Sequence, residues 1–444
     1  MNQIIPYRNR LKPGTRHSVS INDNLTGEAD AITWWEVLIM LCLLLISGNP
    51  YFLVQKFELF TVVFSIIPMV HFVRNYKKSV SYRTIFIFVF FLGYEIMHAF
   101  MFKLDYTLTV FKLALILLLS ASVVDILKNK FIVVLTKTMV LISLVSFVFV
   151  LISYTPLHKP LYLLAERLFP IEKNYEGQST PTLLIYTFCR EYFFGDFSYV
   201  RNAGIFWEAG AFAVFLNITL FLHYSSKSIK VVGDLFDKQA SILILALATT
   251  TSTMGALSLM ILLTFFSGQL KSVFKYVLLA LIVITSYLAF STVEFLGEKI
   301  NRELNQSRIT NNRFGSALKD FDNIAERPLL GWSRRIEVVF KTTVRSSVTH
   351  RPNGFTNFLR NYGLIYFSVY FFLVFSSFKN IYYYYHHTYN NYLPLFGVIL
   401  LFIASFSEVI FDLAFLKSLL FLYAAYYPLR ANAEQNSFNK PVYA

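Results

Sequence analysis

Apolar runs long enough to cross a bilayer recur along this 444-residue chain almost to its C-terminus, and nothing constrains its fold more. They lie near 34–49, 57–73, 84–101, 107–126, 131–153, 204–224, 239–252, 254–269, 273–292, 362–378, 393–409 and 412–428. Only 15% of the residues are charged, against about a quarter in a soluble domain. The pattern predicts an all-α polytopic membrane protein of about 12 transmembrane helices. One boundary needs an argument. Gln239 to Phe266 is 28 residues, too long for one straight span. We divide it at Ser252-Thr253-Met254-Gly255, because otherwise the charge alternation of the loops breaks.

Lysine and arginine set the orientation. With the N-terminus inside, the basic inner loops are Arg74 to Arg83, Lys128 to Lys130, Lys227 to Lys238, Lys271 to Lys275, Lys379 and Arg430. This predicts a cytoplasmic tail over 1–33, a membrane domain over 34–428 and a second cytoplasmic tail over 429–444. Two long loops, about 154–203 and 292–361, fall outside. The second holds 12 Lys/Arg against 7 Asp/Glu, which a loop of that length tolerates on the outer side. Leu161 to Phe169 and Phe314 to Ile324 have apolar spacing suited to helices on the membrane surface. The net charge of +14 belongs to the basic inner loops, and no polar domain remains to present a nucleic-acid face. No cleavable signal peptide is expected, because the first run follows a polar leader. Cys42 lies inside that run, so a disulfide to Cys189 is not expected, and no Cys/His cluster has zinc spacing.

Three stretches carry candidate chemistry. Arg201-Asn202-Ala203-Gly204-Ile205-Phe206-Trp207-Glu208 opens the sixth run, which travels inward. Read as helix, its seven-residue spacing puts Arg201 and Glu208 on one face with Gly204 beside them. Arginine suits a diphosphate, and a carboxylate there suits a general base. The plain alternative is an interfacial Arg–Glu pair with Trp207 in an aromatic belt. Thr249 to Gly255, with Ser252 and Thr253, forms an outer turn. Its hydroxyls suit phosphate or sugar, and its small residues equally suit close helix packing. In the second loop, Arg313 starts an amphipathic stretch that ends at Pro328-Leu329-Leu330-Gly331-Trp332. Arg334, Arg335, Arg345 and Arg351 follow as candidate anion contacts. His350 precedes Asn353-Gly354, and a helix from there puts Asn353, Asn357 and Arg360 on one face. Glu95 with His98, Lys112 as a counter-charge to Glu95, and Glu408 with Asp412 read as structural pairings. No Walker loop, GxGxxG or HExxH is present.

Residues 201–208 resemble the R-x-x-G-x-F-x-E segment of bacterial O-antigen polymerases (Wzy-type). The order of parts over about 190–370 is also similar: an outer loop, this segment, a span, a Ser/Thr-Gly hairpin, a second outer loop with a Pro-Leu-Leu-Gly turn, then Asn353-Gly354 and Gly363. The resemblance implies a C-type glycosyltransferase-like fold with the active site facing the periplasm of the inner membrane. It implies donor and acceptor oligosaccharides linked to undecaprenyl diphosphate, a chain-length regulator protein as partner, and no metal, cofactor or nucleotide sugar. Arg201 and Glu208 become catalytic candidates. Arg313, Asn353, Asn357, Arg360, His350, Ser252 and Thr253 become substrate-binding candidates. O-antigen ligases share the scaffold, but their segment carries Asn-Pro-Asn where Glu208 stands, and Pro352-Asn353 holds their His-Asn place with His350 two residues early. The rivals are therefore a ligase acting on lipid A core and, from another class, a flippase of lipid-linked saccharide. A flippase would put its charge deep in the spans rather than in loops. A structural or scaffolding membrane protein is a third reading, against which the Arg201–Glu208 pair argues.

Overall fold

The computed structural model describes residues 32–426 apart from 55–56, 75–80, 104–106, 170, 172–179, 195–196, most of 271–312, 335–352, 389 and 407. The predicted tails, most of the run at 273–292, and His350, Arg335, Arg345 and Arg351 lie outside the described residues, as does the side chain of Arg313.

The described helices are α1 Trp34–Gly48, α2 Pro50–Val54, α3 Phe57–Arg74, α4 Tyr82–Phe102, α5 Thr107–Leu127, α6 Phe131–Ser153, α7 His158–Leu168, α8 Ala209–Ser225, α9 Val232–Leu235, α10 Lys238–Thr249, α11 Thr253–Ser267, α12 Arg313–Glu326, α13 Gly354–His386, α14 Tyr392–Ser405 and α15 Ala414–Tyr426. A helix coincides with each predicted run that falls among the described residues. Three helical stretches, Tyr82–Phe102, Thr107–Ser153 and Gly354–His386, are long and apolar enough to cross a membrane, and seven others are shorter apolar helices. The division near Ser252 stands. Ser252 N-caps α11 by accepting from the Gly255 N–H at 3.2 Å. Both amphipathic outer segments form helices, α7 and α12.

Polarity is arranged as a lipid solvent requires. Large apolar side chains such as Ile66, Val89, Phe100 and Phe372 face outward, while serines and threonines are buried. Those hydroxyls turn back onto their own helices. Ser120 donates to Ile116 O, Thr136 to Ile132 O, Ser143 to Met139 O and Thr219 to Phe215 O. In a helix without water this satisfies the hydroxyl locally. One continuous apolar core runs from Ile39 to Tyr426, with α8 buried along nearly its whole length.

The first long loop holds a feature the apolar pattern does not show, an antiparallel hairpin of β1 Phe188–Phe194 and β2 Phe197–Asn202. Two residues, Gly195 and Asp196, join the strands. Glycine beside aspartate between aromatic runs is a hairpin signal.

The second long loop is anchored at a break in α13. Gly363 has φ +69° and ψ 178°, so the helix stops and restarts there. The Pro328–Ser333 segment lies across the break. Trp332 N–H donates to Arg360 O at 2.9 Å and Ser333 N–H to Asn361 O at 2.8 Å. On the far side, Leu364 N–H donates to Pro328 O at 2.8 Å and Ile365 N–H to Leu329 O at 3.2 Å. The groups orphaned by the break are thus paired. Gly331, at φ +73°, touches the same backbone: a Cβ there would lie 2.5 Å from Asn361 O, and one on Gly363 would lie 2.4 Å from Leu329 O. Substituting either glycine separates the segments and adds left-handed strain of about 1–3 kcal/mol. Gly331→Ala and Gly363→Ala therefore lower the thermal midpoint of the detergent-solubilised protein. Gly93→Ala, whose methyl would meet open space, leaves that midpoint near wild type.

Candidate functional site

The Arg201–Glu208 segment does not form the helix its spacing suggests. Arg201 and Asn202 end β2, Gly204 turns the chain at φ +54°, and α8 starts only at Ala209 with Glu208 as its N-cap. The hairpin claims Arg201, and Asn202 then fixes the turn by accepting from the Gly204 N–H at 3.0 Å. Gly204 makes room for the ring of Phe212 rather than for a ligand, since a Cβ would lie 3.1 Å from it. Asn49, just past α1, donates to Ile205 O at 3.1 Å and holds the turn from below.

Arg201 and Glu208 nevertheless act on one point. Cys189 of β1 lies within electrostatic reach of both, and the backbone N–H of Ala209 is bonded to its sulfur. Burial pushes this thiol up to about 11. Arg201 and the Ala209 N–H pull it down, and Glu208 pushes it further up. It is a protonated thiol at neutral pH. The end of β2 and the N-cap of α8 thus set a guanidinium and a carboxylate at the two ends of one turn, and both charges are felt at Cys189. Arg201 Nε donates to Thr250 O at 3.0 Å, which ties the region to the α10–α11 turn. Asn202 reaches the same turn, donating to Thr249 Oγ1 at 2.9 Å.

Of the two readings of that turn, packing is well served. A Cβ on Gly255 would lie 2.5 Å from Ala213 Cβ, so α8 and α11 touch there. Ser252 spends its oxygen on the cap. Thr253 Oγ1 is buried with no hydrogen-bond partner among the described residues.

Asn353 N-caps α13, accepting from the Thr356 N–H at 3.1 Å, and its Nδ2 is buried without a hydrogen-bond partner among the described residues. Arg360 donates to Asn357 Oδ1, so two of the three residues of the predicted face meet, while Asn353 stands before the helix as its cap. Arg360 also pairs with Asp320 of α12 at 2.9 Å, and Thr356 Oγ1 donates to the other oxygen of Asp320 at 2.8 Å. This buried pair pins the amphipathic helix to α13.

Below the docked turn lies an ionic cluster that sequence reading largely missed. Glu95 faces Arg334 at 3.4 Å, so its counter-charge comes from the second outer loop. The Tyr362 hydroxyl lies 3.1 Å from Asp412 Oδ1 and 3.4 Å from Glu95 Oε1. Lys417, fully buried, lies 3.3 Å from Asp412 and donates to the Tyr366 hydroxyl at 3.0 Å. Its ammonium also faces the rings of Tyr370 at 5.0 Å and Phe91 at 5.4 Å. His98 meets Leu330 O at 2.8 Å, and the Tyr94 hydroxyl donates to Tyr362 O at 2.6 Å. The signal for Lys417 was available: it is a lone charge inside an apolar run.

The chain matches no family model and no curated protein sequence.

The thiol offers a direct test of the site's electrostatics. In a Cys42→Ser background, labelling of Cys189 by a membrane-impermeant thiosulfonate should rise about tenfold per pH unit from about pH 7 to about pH 9. Glu208→Gln removes a charge that raises the thiol and moves this profile to lower pH. Arg201→Gln removes one that lowers it and moves the profile to higher pH. A plateau below pH 8, or identical profiles in all three proteins, would contradict the geometry.

Proposed function

We propose that this chain is a polysaccharide polymerase of the bacterial inner membrane. It joins undecaprenyl-diphosphate-linked oligosaccharide repeat units into O-antigen or a related surface polysaccharide at the periplasmic face. The observation that carries the reading is that Arg201, at the end of β2, and Glu208, at the N-cap of α8, both act electrostatically on Cys189. A second arrangement supports it: the Pro-Leu-Leu-Gly turn docks on Gly363, so two separated parts of the ordered resemblance are physical neighbours. About twelve spans, with both termini cytoplasmic and a C-type glycosyltransferase-like fold, belong to the same proposal.

The acceptor sugar's hydroxyl attacks the anomeric carbon of the donor. A new glycosidic C–O bond forms as the bond to the lipid diphosphate breaks, and the diphosphate departs with the electron pair. Glu208 receives the hydroxyl proton, and its exposure leaves it open to substrate. The guanidinium of Arg201 offsets the charge growing on the diphosphate, with the free N–H groups of the first turn of α8 beside it. The diphosphate is already an activated leaving group, so the step needs neither nucleotide sugar nor metal. Asn353 and Asn357 hold sugar hydroxyls, and a chain-length regulator protein partners the enzyme in the bilayer.

Arg201→Ala and Glu208→Ala, each inserted at normal levels, should reduce polymer formation by about 10²-fold or more in cells lacking the native gene. Arg201→Lys keeps the charge and loses the planar fork, so it recovers only part of the activity. Either alanine variant making full-length polymer at the normal rate would overturn the reading.

A further inference from the structure

We propose that Glu408 is a positioning residue that joins the two outer-loop motifs into a single site, an inference that rests on the polymerase reading. Glu408 lies in the bend between α14 and α15 and is 5% exposed. Two helices start against it. A Cβ on Gly210, in the first turn of α8, would lie 2.4 Å from Glu408 Oε1. A Cβ on Gly354, the first residue of α13, would lie 1.9 Å from Glu408 O and 2.7 Å from Ser405 O. A side chain at Gly354 would expel the bend, and one at Gly210 would displace the Glu408 carboxylate. That carboxylate therefore lies over the first turn of α8, and the Glu408 carbonyl lies against the start of α13.

The same carboxylate faces Glu208. Glu208 Oε1 lies 3.6 Å from the Cβ point over Gly210 that Glu408 Oε1 approaches at 2.4 Å. Two acidic groups thus meet at one helix start. The buried Glu408 takes the nearer place over Gly210, and the exposed Glu208 is left the farther one, where its charge is still felt at Cys189. From the other side, Gly354 brings Asn353 and the Asn357–Arg360 face to the same bend. Arg201–Glu208 and Asn353–Arg360, nearly 150 residues apart, are set relative to one another by this one side chain and its backbone. Glu408 acts through Glu208, whose carboxylate would otherwise relax over Gly210.

The test uses the full chain in lipid vesicles, with a synthetic polyprenyl-diphosphate repeat unit and with Cys189 as a reporter. Glu408→Ala should lower kcat about a hundredfold while the acceptor KM stays within about twofold of wild type. Its Cys189 labelling profile should move to lower pH as Glu208 withdraws. Glu408→Gln keeps an oxygen over Gly210 and should recover most of the turnover and the native profile. Should Glu408→Ala fail to insert, Gly210→Ala, whose methyl expels the carboxylate, takes its place with the same expected loss of kcat. Wild-type turnover in the folded variant, or lost turnover with an unshifted Cys189 profile, would overturn the proposal. A shifted profile in a protein whose wild type makes no polymer would uphold the positioning and refute the polymerase.

Discussion

The packing of the second long loop depends on how the chain closes the break at Gly363. A helix interrupted among apolar side chains exposes carbonyls on one side and N–H groups on the other, and apolar surroundings offer them no partners. Here a segment brought from the second outer loop supplies both kinds. Pro328 O and Leu329 O accept from the restarting helix, while Trp332 and Ser333 donate to the one that ends. Two glycines make the approach possible, each at positive φ and each filling the space where the other's Cβ would project. The ring of Trp332 donates to Asn323 O at 2.7 Å, and Arg327 lies 4.4 Å over that ring, so α12 is drawn to the same point.

The ionic cluster beneath explains why this closure is specific. Two cations, Arg334 and Lys417, face two carboxylates, Glu95 and Asp412, with the Tyr362 hydroxyl between. Burying an ammonium costs several kcal/mol, and here a carboxylate, a phenol and surrounding aromatic rings offset it. An apolar contact would tolerate sliding. A balanced set of charges contributed by α4, the second outer loop, α13 and α15 does not, because each displaced partner leaves an uncompensated charge in low dielectric. The loop carrying Arg334 is therefore held to one register against the spans.

Much of the helical framework could be read from sequence because apolar periodicity and loop charge act locally. The split at Ser252 was legible for the same reason: 28 residues exceed one straight span, and without the split the basic loops cease to alternate. The Arg201–Glu208 segment was misread because its seven-residue spacing also fits a hairpin end followed by a turn. The aromatic strands with Gly195-Asp196 between them were the overlooked signal. Arg360 was visible as a member of a polar face, but its partner Asp320 sits on a separate helix. Glu408 over Gly210 and Cys189 beside Glu208 are contacts across distant sequence, which no local pattern encodes.

The central claim is that Arg201 and Glu208, set at the two ends of the turn that leads into α8, make a polymerising site. The most direct measurement is incubation of purified protein, in vesicles, with a single undecaprenyl-diphosphate-linked repeat unit and nothing else, followed by electrophoresis of the saccharide products. The account predicts a ladder of lengths spaced by one repeat unit. An unchanged substrate that undergoes one transfer only when lipid A core is added would contradict it, and would point instead to ligation.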